Sequence, residues 1–186
     1  MPIYIALLRA VNVGGTGKLP MAELKSMCEA EGFTQVQTYI ASGNVVLKAD
    51  CSAHQLKSAL ARRLASYAVK PIEVFVRRLQ QMTQVLEANP FPESPGNRAV
   101  AIFLEETPPA DELSQVTGRN DEQLQLGRRE IYVAYCAGMG NSRLKIPAAA
   151  SGTAKISTRL PNWSRWRLHL MAVERGPANA DSGLSL

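Results

Sequence analysis

The chain has 186 residues, is 46% hydrophobic and 20% charged, and carries a formal net charge of +5, which suits one compact domain or two small halves sharing a core. No apolar run approaches the ~20 residues that span a bilayer, and residues 1–5 are strand-like with no basic n-region ahead of an apolar stretch, so neither a membrane anchor nor a secretory signal is expected. Cys28, Cys51 and Cys136 are odd in number, far apart and form no CxxC, which argues against a zinc site or a disulfide framework and predicts cytoplasmic residence with free thiols.

In chain order, residues 3–11 form an apolar, β-branched run of the length of a buried strand. Gly14, Gly15 and Gly17 then require a loop. Pro20 suits a helix start, Met21, Leu24, Met27 and Cys28 recur at helical spacing, and Gly32 is a stop. Residues 36–40 and 45–48 predict two strands across the Gly43-Asn44 bend. Ser52 with Gln55 reads as a capping box ahead of a helix whose stripe is Leu56, Leu60 and Leu64. Ile72, Val74 and Val76 alternate as a fourth strand.

That order is β-α-β-β-α-β, the ferredoxin-like arrangement. The remainder partly repeats it. A helix carries Met82, Val85 and Leu86, residues 99–104 form a buried strand, and a short helix passes through Leu113 and Val116 to Gly118. Alternation on either side of Gly127-Arg128-Arg129 predicts a hairpin, and Trp163, Trp166, Leu170 and Val173 mark one face of a last helix over 163–174. The expected fold is α+β: two ferredoxin-like (βαββαβ-type) halves packed as one compact unit, with antiparallel-rich sheets and helices on one face. The halves are 1–78 and 79–175, followed by a flexible tail at 176–186.

Residues 14–18 resemble a phosphate loop, but G-x-x-x-x-G-K-[ST] would need Gly at Asn12 and a hydroxyl at Leu19, so a Walker-type nucleotide hydrolase is not expected. Flexible glycines near a helix start, beside Lys18, remain able to attract an anion. The structural alternative is a loop that needs glycine for positive φ. Arg9 stands out in an apolar strand, and its guanidinium needs either a partner or a groove. Ser42 and Asn44 flank the second glycine bend, where both residue types favour turns. His54 and His169 lie on separate predicted helices without a nucleophile or metal pattern, and Glu105-Glu106 and Asp121-Glu122 read as solvated loop acids. No cofactor and no catalytic constellation are predicted.

The basic segment 143–175 holds seven Lys and Arg residues against the single acid Glu174. Arg159, Arg165 and Arg167 interleave with Trp163 and Trp166, an arrangement single-stranded nucleic acid sites use; a core role for the tryptophans is the competing account. Three functions follow as expectations. The leading one is a small binding module for an anionic or phosphate-bearing ligand at Arg9, Asn12, Gly14, Gly15, Lys18, Ser42 and Asn44, closed by Arg143 and Lys145. The alternatives are nucleic-acid binding through 143–175 and an enzyme of unidentified reaction.

Several runs are similar to one known family. They are residues 6–15, 18–24 (Lys-Leu-Pro-Met-Ala-Glu-Leu), Gly32-Phe33, residues 39–45 (Tyr-Ile-Ala-Ser-Gly-Asn-Val), Asn89-Pro90-Phe91, and Tyr135 with residues 138–144. Together they resemble DUF1697, a bacterial family of unknown function. The resemblance implies two similar α+β, ferredoxin-like halves and no established activity, substrate or cofactor. One departure is visible: where the family carries a Thr-x-Arg-Asn-Trp-Asn-Thr-like motif, this chain keeps Asn162-Trp163 but has Pro161 in place of the Arg.

Overall fold

The computed structural model describes residues 1–9, 11–12, 18–39, 43–68, 71–95, 98–150 and 154–157. Its elements are β1 (Ile3–Leu8), α1 (Met21–Ala30), β2 (Thr34–Tyr39), β3 (Asn44–Lys48), α2 (Ala53–Tyr67), β4 (Val74–Arg78), α3 (Leu79–Glu87), β5 (Ala99–Phe103), β6 (Gln123–Leu126), β7 (Glu130–Ala134), α4 (Pro147–Ala150) and β8 (Ala154–Ser157). Short 3-10 turns occupy Glu112–Ser114 and Met139–Asn141. The strands form two four-stranded sheets, ordered β2-β3-β1-β4 and β6-β7-β5-β8, and every pairing is antiparallel. The protein is thus α+β with two antiparallel sheets.

The continuous apolar run of β1 has a direct cause: both of its faces are covered. Tyr4, Ala6 and Leu8 face a core built with Leu24 and Cys28 of α1 and Leu56, Leu60 and Leu64 of α2. Ile5 and Leu7 face the other way, into a core shared with Met82 and Val85 of α3 and with Ala101, Phe103 and Tyr132 of the second sheet. Helix α3 therefore lies against the face opposite α1 and α2, so the helices do not all share one face. The Tyr132 hydroxyl ties this middle layer by donating to the Val85 carbonyl at 2.6 Å. A third cluster, including Val100, Ile102, Ile131, Val133 and Ile146, covers the outer face of the second sheet. Each of the three α2 leucines is fully buried and stabilises the fold by roughly 2–3 kcal/mol.

The helix ends follow their sequence signals. Ser52 accepts from the Gln55 N–H at 3.2 Å, while the Gln55 side chain takes the Ser52 N–H at 2.9 Å. Gly32 adopts φ +80° beyond α1, and Phe33 donates back to the Cys28 carbonyl at 3.2 Å, closing the helix as a left-handed glycine cap does. Burial pushes the Cys28 thiol up to about 12.

The end of α1 is clamped to α2 by Glu31, which accepts from Arg63 Nε at 2.5 Å and Arg62 Nη2 at 3.1 Å. The Arg63 hydrogen bond leads the causes that hold its carboxyl below the usual 4.5. The unfolded chain therefore binds this proton more readily than the folded one. The contribution is full above the ordinary glutamate pKa and is lost as pH falls through the lowered folded value. Glu31→Gln is expected to lower the urea midpoint at neutral pH and to converge with the parent in acid, so that the acid limb of a plot of midpoint against pH is flatter. An acid limb identical in the variant would refute this.

Three elements differ from the sequence expectation. Strand β1 stops at Leu8 rather than residue 11, because the chain turns through Asn12 at φ 57°. The helix expected through Leu113 and Val116 is only the 3-10 turn at Glu112–Ser114, whose buried Glu112 accepts the Ala148 N–H at 2.6 Å. Strand β8 was not expected; it completes the second sheet beside β5. The helix expected over 163–174 and the tail 176–186 lie outside the described residues. Among the described residues, no helix is long and apolar enough to cross a membrane.

Candidate functional site

The Gly43 bend lies at one end of the first sheet, where β1 ends and β3 and β4 begin. Leu7 pairs with Asn44, and Leu8 with Val74. Gly43, at φ +79°, is pressed into this end: a Cβ there would meet the Leu8 Cβ at 3.0 Å and the Val11 Cβ at 3.3 Å. Asn44 is buried at the start of β3.

Asn12 closes the loop. Its Nδ2 donates to the Leu19 carbonyl at 3.0 Å, and its Oδ1 accepts the Leu19 N–H at 2.8 Å. This reciprocal pair ties residues 12 and 19 together and fixes Lys18 beside the end of β1. Asn12→Ala removes both bonds and places alanine at a left-handed φ, so a loss of roughly 2–3 kcal/mol in unfolding free energy is expected by urea titration. A change under about 0.5 kcal/mol, the spread of ordinary surface substitutions, would show that the pair does not hold the loop.

Lys18 is exposed, and its carbonyl accepts from the Tyr67 hydroxyl at the end of α2 at 3.4 Å. Helix α1 begins after Pro20 with no side-chain cap, so its first-turn N–H groups lack the partner that an Asp, Ser or Thr would supply. Arg9 is half-exposed and paired, with Nη1 2.8 Å from Glu73 Oε2 and its backbone N–H donating to the Glu73 carbonyl at 3.0 Å. An exposed pair of this kind contributes about 0–1 kcal/mol, weak enough for a competing anion to displace.

The structure thus gathers Arg9, Asn12, Lys18 and Asn44 at one sheet end. Gly14, Gly15 and Ser42 lie outside the described residues. Arg143 and Lys145 belong to the second half, where Lys145 pairs through its backbone with Thr117. The alternative nucleic-acid residues Arg159, Arg165 and Arg167 also lie outside the described residues. Glu73 was missed as the partner of Arg9, because it lies 64 residues away in sequence.

Of the loop acids expected to be solvated, Glu122 is the exception, being buried at 3% exposure. It accepts from the Ser142 hydroxyl and from the Asn120 N–H at 2.7 Å. The Ser142 bond, then the Asn120 bond, hold its carboxyl below the usual range, which suits a loop staple rather than a proton donor. Glu105 is exposed and paired with Lys57 at 2.7 Å. Among the described residues, no three His, Cys, Asp or Glu side chains are grouped to hold a metal ion.

Fold and loops together define an α+β protein of two antiparallel sheets with a polar, loop-built end on the first. The chain belongs to the DUF1697 family, described as a protein of unknown function, and the match spans residues 1–132. Its fold is similar to a solved structure titled "The structure of conserved bacterial protein SP0830 from Streptococcus pneumoniae". That likeness has a TM-score of 0.67 and 22% identity, and covers 88% of this chain and 96% of the other. No curated protein matches the chain.

Proposed function

We propose that the protein is a small binding module that takes an anionic or phosphate-bearing small ligand at the glycine-rich end of the first sheet. The observation that carries this reading is the Asn12–Leu19 amide pair, which holds exposed Lys18 and the uncapped start of α1 beside the end of β1. The Lys18 ammonium supplies charge, and the first-turn N–H groups supply directed donors. Arg9 joins by exchanging Glu73 for the ligand. Gly14, Gly15, Ser42 and Asn44 complete the proposed site. The fold reading that goes with it is finer than α+β: two ferredoxin-like halves, 1–78 and 79–175, with a tail at 176–186. The βαββαβ order of the first half and the matching strand order of the second sheet support it.

The test is native mass spectrometry of ligands retained after gentle purification, followed by calorimetric titration of inorganic phosphate and pyrophosphate. Lys18→Ala is expected to weaken binding about tenfold, the size of one lost charge-assisted hydrogen bond. Glu73→Gln is expected to strengthen it by releasing Arg9. No retained ligand and no heat with either anion, or binding indifferent to both variants, would reject the reading.

A further inference from the structure

The opposite chemistry from a closed pocket occurs at one end of the second sheet. Register brings three strand ends together there: Ala134, near the end of β7, pairs with Ala99 at the start of β5 and with Gln123 at the start of β6. The loops that leave this end are joined to each other. Thr117 and Lys145 exchange both backbone hydrogen bonds, at 3.0 and 2.8 Å, and Gly118 lies directly against the Arg143 carbonyl.

These loops and strand starts carry Arg98, Arg119, Arg143 and Lys145, all exposed. Among the described residues, none of the four has an ion pair. Two are held by backbone carbonyls. Arg98 Nη1 donates to the Cys136 carbonyl at 2.6 Å, and Arg119 Nε donates to the Glu122 carbonyl at 2.9 Å. Glu122, which feels the charge of Arg119, is buried and accepts from Ser142 and Asn120. That leaves Asp121 as the one exposed carboxylate of residues 117–122, and residues 136–145 carry none.

The geometry points to a nucleic-acid contact surface: Arg98, Arg119, Arg143 and Lys145 grip the phosphodiester backbone of DNA or RNA across the end of the second sheet. A phosphodiester backbone carries a repeating charge that cations on separate loops can meet together, and three of the four groups are guanidinium forks, which take phosphate oxygens two at a time. A membrane surface is disfavoured because Met139 is the only exposed large apolar side chain among the described residues of these loops. No base-reading element is needed, so binding is tolerant of sequence. This surface is separate from the small-anion site on the first sheet and stands or falls independently of it.

The experiment is fluorescence anisotropy with a labelled mixed-sequence duplex and a labelled oligothymidylate, over a range of salt. Four phosphate contacts predict a slope of about −3.6 in log K against log salt for the duplex, or roughly a 100-fold loss for a fourfold rise in salt. The double variant Arg143→Glu, Lys145→Glu alters two side chains that make no described bond and is expected to abolish measurable binding at moderate salt. Combining Arg98→Gln and Arg119→Gln is expected to reduce the slope by about two. The control Lys25→Gln, Arg62→Gln lowers net charge by the same amount as that pair, on the first half, and is expected to leave binding within about twofold. Absence of binding at low salt overturns the inference. So does equal weakening by the control and the Arg143/Lys145 variant, which would mean net charge alone. Binding to anionic phospholipid vesicles but to neither oligonucleotide would also overturn it.

Discussion

Replacing Arg77 is expected to lower the unfolding free energy by roughly 2–4 kcal/mol for Arg77→Met, and by more for Arg77→Ala. The side chain leaves β4 at 2% exposure and crosses the middle layer between the sheets. Its Nη2 donates to the Leu104 carbonyl at 2.5 Å and to the Arg129 carbonyl at 3.4 Å; Nη1 donates to Val76 at 3.0 Å. The guanidinium also sits 5.7 Å from the centre of the Phe103 ring, a favourable cation–π placement. Burial leads the causes that push its pKa down to about 10, with the charge of Arg129 next, so the group stays charged at neutral pH.

Neither Met nor Ala can hydrogen-bond those carbonyls, and the Leu104 acceptor would be left buried against the first sheet. Met keeps most of the volume, so the difference between the two variants separates lost packing from lost hydrogen bonds. Arg77→Lys is expected to rescue little, because one ammonium cannot reproduce the fork that reaches both sheets. Urea titration of the three variants decides it. If Arg77→Met falls within about 0.5 kcal/mol of the parent, Arg77 does not join the sheets.

Gly118→Ala carries the second large effect, a loss of roughly 3 kcal/mol or more. Gly118 adopts φ +67°, and a Cβ there would lie 2.1 Å from the Arg143 carbonyl oxygen and 2.9 Å from its carbon. The obstacle is backbone, so no side-chain rotation relieves it. The Thr117–Lys145 bridge must then open, and with it the loop pair that carries Arg119 and Arg143. Hydrogen exchange is expected to show lost protection at the Thr117 and Lys145 amides, with the β1 amides unchanged. Full protection of those two amides in the variant would refute the close approach. Gly32→Ala is a useful contrast: its φ is +80°, yet nothing lies within 4 Å of a Cβ there, so only the backbone strain remains.

Local signals were legible wherever neighbours in sequence are neighbours in space. The Ser52–Gln55 box, the leucine stripe of α2, the Gly32 stop and the hairpin at Gly127 follow from interactions within a few residues. The polar contacts were hidden for the opposite reason. Arg9 pairs with Glu73 and Arg77 reaches Leu104 and Arg129, separations that no pattern of spacing encodes. Glu122 looked solvated because its neighbours are polar, but it was buried by a loop twenty residues downstream.

The sequence by itself determined the α+β class, the order of elements in the first half and the Gly43 bend, because periodicity and turn chemistry are local properties of the chain. Only the tertiary structure decided what the charged side chains do. It placed α3 between the sheets, occupied Arg9 with Glu73 and Asn12 with Leu19, buried Arg77 among carbonyls, and left Lys18 and the loop cations of the second sheet facing outward. Electrostatic roles depend on distance and burial, and both are set by which strands pair and which faces close.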